Sequence, residues 1–427
     1  MRPIRHMKKV VLISSLLLIL TLSLGGGVAS KGNDTAATYE NLRLFTEVLS
    51  IVQSQYVDEV PPKDLIYNAI KGTLRGLDPH SSFLDPDMYR EMQVETSGSF
   101  GGLGIEITLR DDVLTVVAPI EGTPAYRAGI QPGDRILKIE GLSTKDMQLA
   151  DAVKRMRGKP GSKITVTIVR EGWTEPKDFL ITREQIRVQS VKNNQLEPGI
   201  EYIRLRQFQE QTSNDLETAL EKYSKEGKIQ GLVLDLRNNP GGLLTSAVEV
   251  TEKFLEPGKL VVYTEGRVRN QNMRFSSNAK HAFTDFPVVV LVNQGSASAS
   301  EIVAGALQDW GRAVVLGTQS FGKGSVQTII PLSDGSGLRL TTAKYFTPKG
   351  RSIHGKGITP DILVEGPKTT AAVSGEGAAA PTPPPAVETP QEQLKRDPQL
   401  QRALDLLKAM KILDKSRPTG NPQAQAR

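Results

Sequence analysis

Cysteine is absent from the 427-residue chain, and histidine is scarce. Without cysteine there is no disulfide framework, no thiol nucleophile and no thiolate ligand, so cysteine proteases and Cys-ligated zinc proteins are excluded. The four histidines are His6, His80, His281 and His354. Neither the Gly-x-Ser-x-Gly turn of many serine hydrolases nor the His-Glu-x-x-His zinc pattern occurs. A serine triad that uses His354 stays open.

An excess of one charge is also lacking, because 53 Lys and Arg residues are interleaved with 47 Asp and Glu residues. The net charge of +6 therefore marks no basic surface, and no nucleic-acid partner is expected. The exception is the start, where four basic residues precede an apolar run at residues 10–24. This layout predicts a signal peptide over residues 1–30, and an uncleaved N-terminal anchor that attaches the chain to a membrane stays open. Either form predicts an exported protein.

The pattern of apolar residues divides the rest of the chain into five segments. Spacings of three and four predict helices near the start, short β-rich runs follow, and apolar strands then alternate with helical stretches. Such alternation predicts βαβ units and a mixed, partly parallel sheet. The segments are an N-terminal helical segment (31–95), a β module (96–184), an α/β core (185–365), a Pro/Ala-rich linker (366–395) and a C-terminal helix with a tail (396–427). The expected fold is thus an α/β core with an inserted β module.

Ser298 is a candidate nucleophile, because it lies between a predicted buried strand and a predicted helix. Reacting groups in α/β sheets gather at the carboxyl ends of strands, and the free N–H groups of a following helix can stabilise an oxyanion. The same residue and Glu301 fit Ser-x-x-Glu, a helix capping box, so a structural role is open as well. The residues alone do not distinguish Ser298 from Ser296 and Ser300.

A serine without a histidine partner can use lysine as its base when burial lowers the lysine pKa. Lys323 follows the strand after the Ser298 helix, so one βαβ crossover can bring it back beside the serine. Flanking glycines permit close approach. Gln327 lies four residues further on, a spacing that keeps two side chains on one face, so its amide can orient the lysine amine.

Two other motifs offer alternative roles for lysines, one for Lys323 and one for Lys280. Residues 317–324 nearly fit the phosphate-binding loop Gly-x-x-x-x-Gly-Lys-Ser/Thr, but Gly324 stands where a hydroxyl must reach magnesium. A strand rather than a helix is predicted to follow, which also disfavours a phosphate loop. Residues 277–280 match the Ser-x-x-Lys of penicillin-binding enzymes, yet no Lys-Thr-Gly partner occurs. No metal and no organic cofactor are expected.

Gly241 and Gly242 follow another predicted buried strand. Successive glycines leave backbone N–H groups free to face a ligand. Gly241 or Gly242, together with the N–H of Ala299, forms a predicted oxyanion hole, and a plain turn is the alternative.

A glycine-rich loop also opens the β module, directly before a strand. Its N–H groups can bind a peptide carboxylate while the strand accepts the peptide by β-addition. The predicted residues for binding a substrate C-terminus are Gly102, Leu103, Gly104 and Ile105.

In combination these motifs resemble those of the carboxyl-terminal processing peptidases, bacterial and plastid serine proteases with an inserted PDZ domain. The resemblance covers residues 39–364 and returns at 397–407. It rests on motifs at residues 77–81, 234–242, 295–301 and 322–327.

The resemblance implies an endopeptidase that binds substrate C-termini through its PDZ domain and cleaves peptide bonds through an acyl-enzyme. By similarity Ser298 is the nucleophile, Lys323 the base and Gln327 the orienting residue. Arg157 resembles the arginine that couples the PDZ domain to the proteolytic site, and an exposed arginine at a helix end is the alternative.

The expected partners are polypeptides with apolar C-termini, and a second copy of the chain or a regulatory protein is left open. The expected location is the periplasm or the outer face of the inner membrane of a bacterium. The alternative function is a PDZ scaffold on an inactive protease fold. The joint presence of Ser298, Lys323 and Gln327 argues against it.

Overall fold

The computed structural model describes residues 30–279, 282–366 and 390–416. The predicted signal segment, most of the predicted linker and the C-terminal tail lie outside these residues. No helix within the described ranges is long and apolar enough to cross a membrane. The chain divides into two compact units, the first ending at Phe83 and the second beginning at Leu84.

The N-terminal unit is helical, as the apolar spacing predicts. Its elements are α1 (Ser30–Gln55), α2 (Pro62–Arg75) and the short strand β1 (Ser82–Leu84) at the boundary. Proline fits the first turn of a helix but not its interior, which explains why α2 begins at a proline pair. After α2 the Asp78 carboxylate accepts hydrogen bonds from the backbone N–H groups of His80 (2.7 Å) and Ser81 (2.9 Å). Residues 78–81 therefore form a local turn.

The second unit begins with one helix and one strand and continues as an antiparallel β module with its own core. These elements are α3 (Pro86–Ser97), β2 (Ser99–Gly102), β3 (Ile105–Arg110), β4 (Val113–Pro119), α4 (Pro124–Arg127), β5 (Arg135–Ile139), β6 (Leu142–Ser143), α5 (Leu149–Met156), β7 (Lys163–Val169), β8 (Lys177–Thr182) and β9 (Glu184–Arg187). Five strands pair in the order β3-β4-β5-β7-β8, which leaves β3 at the sheet edge. Strand β9 pairs with β2, so the two ends of the module lie together.

Period-two burial explains why the module folds as a sheet. Along β7 the side chains of Ile164, Val166 and Ile168 are buried, while those between them are partly exposed. Apolar runs in the sequence predict β3, β4, β5 and β7. The more polar strands β8 and β9 are not predicted by these apolar runs.

The α/β core follows the module. Its elements are β10 (Val191–Glu197), β11 (Ile200–Leu205), α6 (Thr212–Glu226), β12 (Gly231–Asp235), α7 (Leu244–Glu252), β13 (Leu260–Gly266), β14 (Arg274–Ser276), β15 (Val288–Val292), α8 (Ala299–Asp309), β16 (Ala313–Gly317), β17 (Ser325–Pro331), β18 (Gly337–Phe346), β19 (Ile362–Leu363), α9 (Pro390–Arg396) and α10 (Pro398–Ser416). One sheet has the order β10-β11-β12-β15-β16-β19. Only β10 runs antiparallel to its neighbour in this sheet, so the predicted mixed, partly parallel sheet is confirmed.

Helices cover both faces of this sheet. Leu232 and Leu234 of β12 pack into a cluster with residues of α6, α7 and α8. Val233, between them, packs on the opposite face against Leu404 and Leu407 of α10. A strand buried on both faces is almost entirely apolar, which is the pattern of β15 and of β12 up to its last residue, Asp235.

A second sheet lies beside the first, in which β18 pairs antiparallel with β13 and β17. The backbone N–H of Tyr345 on β18 donates to the carbonyl oxygen of Gly324 at 3.1 Å. Strand β18 therefore runs alongside the loop that carries Lys323.

Candidate active site

Ser298 occupies a sharp turn between β15 and α8. Its backbone has φ 56° and ψ −114°, a combination that L-residues with a side chain rarely adopt. Such conformations persist where the surrounding structure imposes them, and they concentrate at functional sites. The chain lacks the Gly-x-Ser-x-Gly motif, yet Ser298 has the strained strand-to-helix geometry associated with nucleophilic serines.

Burial separates Ser298 from the serines beside it. Ser296 and Ser300 are both 0% exposed, whereas Ser298 is half-buried. The Ser296 hydroxyl donates to the carbonyl oxygen of Leu236 at 2.8 Å, and the Ser300 hydroxyl donates to that of Asn239 at 2.9 Å. Ser296 and Ser300 therefore fasten two backbone segments together, and Ser298 is the serine of the three that a substrate can reach.

Lys323 lies in the base loop, which we define as residues 318–324 between β16 and β17. It is half-buried. Burial lowers the pKa of Lys323, and the positive charge of Arg339 lowers it further, while Glu301 opposes the shift. A lysine with a lowered pKa holds a larger neutral fraction near pH 7, which is what a general base requires.

The structure also decides against a phosphate-binding loop at Lys323. Strand β17, not a helix, follows the base loop. A Cβ atom at Gly324 would lie 2.2 Å from the backbone nitrogen of His354. Glycine at this position therefore permits the base loop to pack against the backbone at residue 354. His354 itself is exposed.

Glu301 joins Ser298 to the base loop, a role that sequence reasoning missed. It is 0% exposed. One carboxylate oxygen accepts from the backbone N–H groups of Ser298 (2.8 Å) and Lys323 (2.9 Å). The other accepts from the N–H of Gly322 (2.7 Å) and the hydroxyl of Ser320 (2.5 Å). Burial raises the pKa of Glu301, and these four donors oppose that shift.

The predicted capping box was the available signal for Glu301. Its reciprocal half is present, because the Glu301 carboxylate accepts from the Ser298 N–H. The sequence could not show that the same carboxylate also reaches across to the base loop.

Tyr345 is a second residue that the sequence did not reveal. It is 2% exposed, its hydroxyl donates to the carbonyl oxygen of Lys323, and it also hydrogen-bonds the Ser298 side chain. Burial raises the pKa of Tyr345, so the phenol is neutral at physiological pH. The contact depends on strand pairing far along the chain and leaves no local pattern.

Gln327 does not contact Lys323 in the described part of the chain. Its amide donates to the hydroxyls of Ser325 (2.9 Å) and Thr341 (3.3 Å). Lys323 precedes the strand β17, which begins at Ser325. A bulge between Val326 and Gln327 also breaks the alternation of β17. The orienting role of Gln327 stays a prediction.

The predicted oxyanion residues lie beside the nucleophile. A Cβ atom on Gly241 would lie 2.8 Å from the Cβ of Ser298 and 3.0 Å from the nitrogen of Ala299. The Gly241 N–H, however, donates to the side chain of Asn239 at 2.9 Å. Of the two glycines left open by the sequence, Gly242 is therefore the better candidate donor beside Ala299.

The predicted peptide-binding loop is part of the β module. Gly104 has φ 74°, and a Cβ atom there would lie 2.3 Å from Thr123, so glycine is required. The buried Leu103 accepts a hydrogen bond from the N–H of Ala125 through its carbonyl oxygen at 2.9 Å. Gly102 ends β2, and Ile105 begins the edge strand β3. An edge strand is what β-addition of a peptide requires.

Arg157, at the end of α5, contacts neither Ser298 nor Lys323 in the described residues. It pairs with the carboxylate of Glu91 on α3 at 2.6 Å and lies 4.7 Å above the ring centre of Phe100. Its observed contacts thus join the β module to α3, and the coupling role stays a prediction. The described residues contain no cluster of three or more histidine or carboxylate side chains suited to a metal.

Comparisons of sequence and structure relate the chain to known proteins. The sequence model of peptidase family S41 matches residues 199–364, and that of a PDZ domain matches residues 115–170. A carboxy-terminal-processing protease of Bartonella bacilliformis is 50% identical over 338 residues, covering 78% of this chain and 77% of its own length. A carboxyl-terminal-processing protease of Synechocystis sp. is 42% identical over 308 residues, covering 70% and 71%. The solved structure of a photosystem II D1 C-terminal processing protease is 32% identical, with 75% of this chain and 92% of that chain covered and a TM-score of 0.43.

Proposed function

Since the chain belongs to peptidase family S41, we propose that it is an endopeptidase that binds substrate C-termini and cleaves through Ser298 and Lys323. Its relatives make it a serine-type peptidase of the carboxy-terminal-processing kind with a PDZ domain. Beyond the family assignment, we propose that Ser298 is the nucleophile, that Lys323 is the base and that the protein acts outside the cytoplasm.

One observation carries the assignment: the Glu301 carboxylate accepts hydrogen bonds from the backbones of both Ser298 and Lys323. The nucleophile and the base are thereby held in one frame, although 25 residues separate them in the sequence. Preorganisation of this kind lowers the entropic cost of bringing a base to a nucleophile.

The chemistry proceeds in two stages. Neutral Lys323 accepts the Ser298 proton while the serine oxygen bonds to the substrate carbonyl carbon. As the tetrahedral intermediate collapses, the peptide C–N bond breaks and the Lys323 ammonium returns the proton to the leaving amine. Water, deprotonated by Lys323, then adds to the ester carbonyl carbon. The bond from that carbon to the Ser298 oxygen breaks, Lys323 returns the proton to Ser298, and the acid product leaves.

The developing oxyanion needs donors that are free and fixed. Ala299 begins α8, so its N–H has no carbonyl partner within that helix, and we assign it as one donor. Gly242, which follows the engaged Gly241, is the second. Donors of this kind stabilise negative charge most strongly where water is excluded.

The β module supplies the substrate contact. We propose that the extended C-terminus of a polypeptide adds to the edge strand β3 and that its carboxylate meets the loop at residues 102–105. Backbone pairing alone confers little sequence preference, so the C-terminal apolar side chain would set specificity.

We also propose that the protein acts outside the cytoplasm. Support comes from the basic residues and the apolar run at residues 10–24, a signal-peptide layout. Fractionation of a bacterium that expresses the full chain checks this. Recovery of the protein in the cytoplasm would contradict export.

The catalytic assignment is tested with an unfolded protein that ends in apolar residues. Ser298→Ala and Lys323→Ala should each lower kcat by at least about 10³-fold, because each removes a reacting group. Lys344→Ala, an exposed lysine next to Tyr345, is the matched control and should retain activity within about twofold.

Activity that survives either catalytic substitution would contradict the proposed dyad. A wild-type chain that binds the C-terminal peptide but never cleaves it would favour the inactive PDZ scaffold instead.

A further inference from the structure

A buried ion-pair network joins the C-terminal helix α10 to the segment that precedes the oxyanion residues. Its centre is Arg237, which is 8% exposed. The guanidinium donates to Asp235 at 2.7 Å, and it pairs with Asp397 at 2.7 Å and donates to the Gln399 side chain at 2.9 Å. Tyr202 donates to Asp235 at 2.7 Å on the far side. Arg237 is thus held by groups on two elements far apart in sequence.

Asp397 has two functions at once. One of its carboxylate oxygens accepts from the N–H of Leu400 at 3.0 Å, which caps the start of α10. The same carboxylate meets the guanidinium of Arg237. Gln399 in turn donates to the carbonyl oxygen of Val364 at 2.8 Å. The first turn of α10 is therefore fixed to the core by polar contacts, in addition to its apolar face.

Arg237 stands directly before the oxyanion loop, which we define as residues 238–242. That loop is bonded closely to the nucleophile. The Ala297 N–H donates to the carbonyl oxygen of Asn239 at 3.0 Å, and Ser300 donates to the same oxygen at 2.9 Å. The Asn238 N–H donates to Asn293 at 2.9 Å. A shift of Arg237 would therefore displace the backbone that carries Gly242.

We propose that α10 is a positioning element of the active site, acting through Asp397 and Arg237 on the oxyanion loop. The inference rests on the proposed peptidase function. A helix that served only to cover the sheet would need its apolar face alone. Buried charge pairs contribute little to stability compared with apolar residues of the same size, so their presence here points to geometric fixation.

The test uses the full-length chain with Asp397→Asn. Asparagine still caps a helix, so α10 keeps its start, but the charge that fixes Arg237 is lost. We expect kcat to fall about 10- to 100-fold with KM unchanged, because a displaced oxyanion donor acts in the transition state. Inhibition by a peptide aldehyde, whose adduct oxygen occupies the oxyanion hole, should weaken by a similar factor.

Two further variants complete the design. Asp397→Glu, which restores the charge, should recover part of the lost kcat. Lys408→Ala removes the exposed pair with Glu197 elsewhere on the same helix and should keep wild-type kcat. Circular dichroism at the assay temperature establishes that each variant is folded.

Wild-type kcat and aldehyde inhibition in folded Asp397→Asn would overturn the inference while leaving the proposed function intact. If Asp397→Asn does not fold, Gln399→Met tests the inference instead. We expect its kcat to fall about two- to fivefold. Unchanged kcat there would equally overturn the inference. An inactive wild-type chain would instead contradict the proposed function itself.

Discussion

Ser298 and Lys323, the proposed nucleophile and base, are held in different ways. Around Ser298, the flanking Ser296 and Ser300 are fully buried, and both donate to the backbone of the segment that carries the oxyanion loop. The base loop is more open, with Phe321 64% exposed and Lys323 half-buried. Several contacts fix the Ser298 turn. Backbone hydrogen bonds such as that from the Phe321 N–H to the carbonyl oxygen of Ser296 (3.0 Å) also hold the base loop, but the backbone of Lys323 itself is held by Glu301 and the Tyr345 hydroxyl.

The two segments therefore differ in how easily they are displaced. Loss of one contact near Ser298 leaves others in place, so the strained turn should persist. Loss of Glu301 removes four hydrogen bonds at once, three of them to the base loop. The base should therefore be displaced more easily than the nucleophile.

The largest effect within this comparison is expected from Glu301→Gln. A glutamine has one acceptor oxygen where the carboxylate has two, so it cannot satisfy all four donors. We expect kcat to fall about 10²-fold, because a displacement of about 1 Å suffices for such a loss. Kinetics on a peptide with an apolar C-terminus measure it.

The matched control is Glu201→Gln, a glutamate that is 2% exposed on β11 and accepts from Gln195 rather than from the base loop. It should retain nearly full activity. Equal losses in both variants would mean that burial of a glutamate, and not the link to the base, matters.

A smaller effect is expected from Tyr345→Phe. The substitution keeps the ring in the core and removes only the hydroxyl that contacts Lys323 and Ser298. We expect kcat to fall about tenfold with KM unchanged, a loss typical of one hydrogen bond to the reacting groups. Tyr263→Phe on the neighbouring β13 is the control. Unchanged or increased kcat in Tyr345→Phe would contradict the positioning role.

The sequence predicted the fold well because its strongest signals are periodic. Apolar strands such as β12 and β15 alternate with amphipathic helices, and that alternation defines a mixed sheet. The strand β9 was missed because it is mostly polar and pairs with the distant β2, and β8 was missed because its apolar run is only three residues long.

The site was predicted less completely. The departure at Gly324 from a phosphate-binding motif identified Lys323 as the candidate base, and the family resemblance selected Ser298. Distinguishing Ser298 from Ser296 on physical grounds required the exposure of each side chain, which the sequence does not give. Tyr345 reaches the site from 22 residues beyond Lys323 through pairing of β17 with β18. Gln327 was expected to share a face with Lys323, and its orienting role stays a prediction, because its observed hydrogen bonds go to Ser325 and Thr341.

The pH dependence of acylation shows whether Lys323 is the base, since only a neutral Lys323 can accept the serine proton. Burial lowers the pKa of Lys323, so below that value its protonated fraction rises and kcat/KM should fall about tenfold per pH unit. Above it the rate should reach a plateau at a pH below the ordinary lysine value of about 10.4. A profile that is flat from about pH 5 to 9 would contradict lysine as the base.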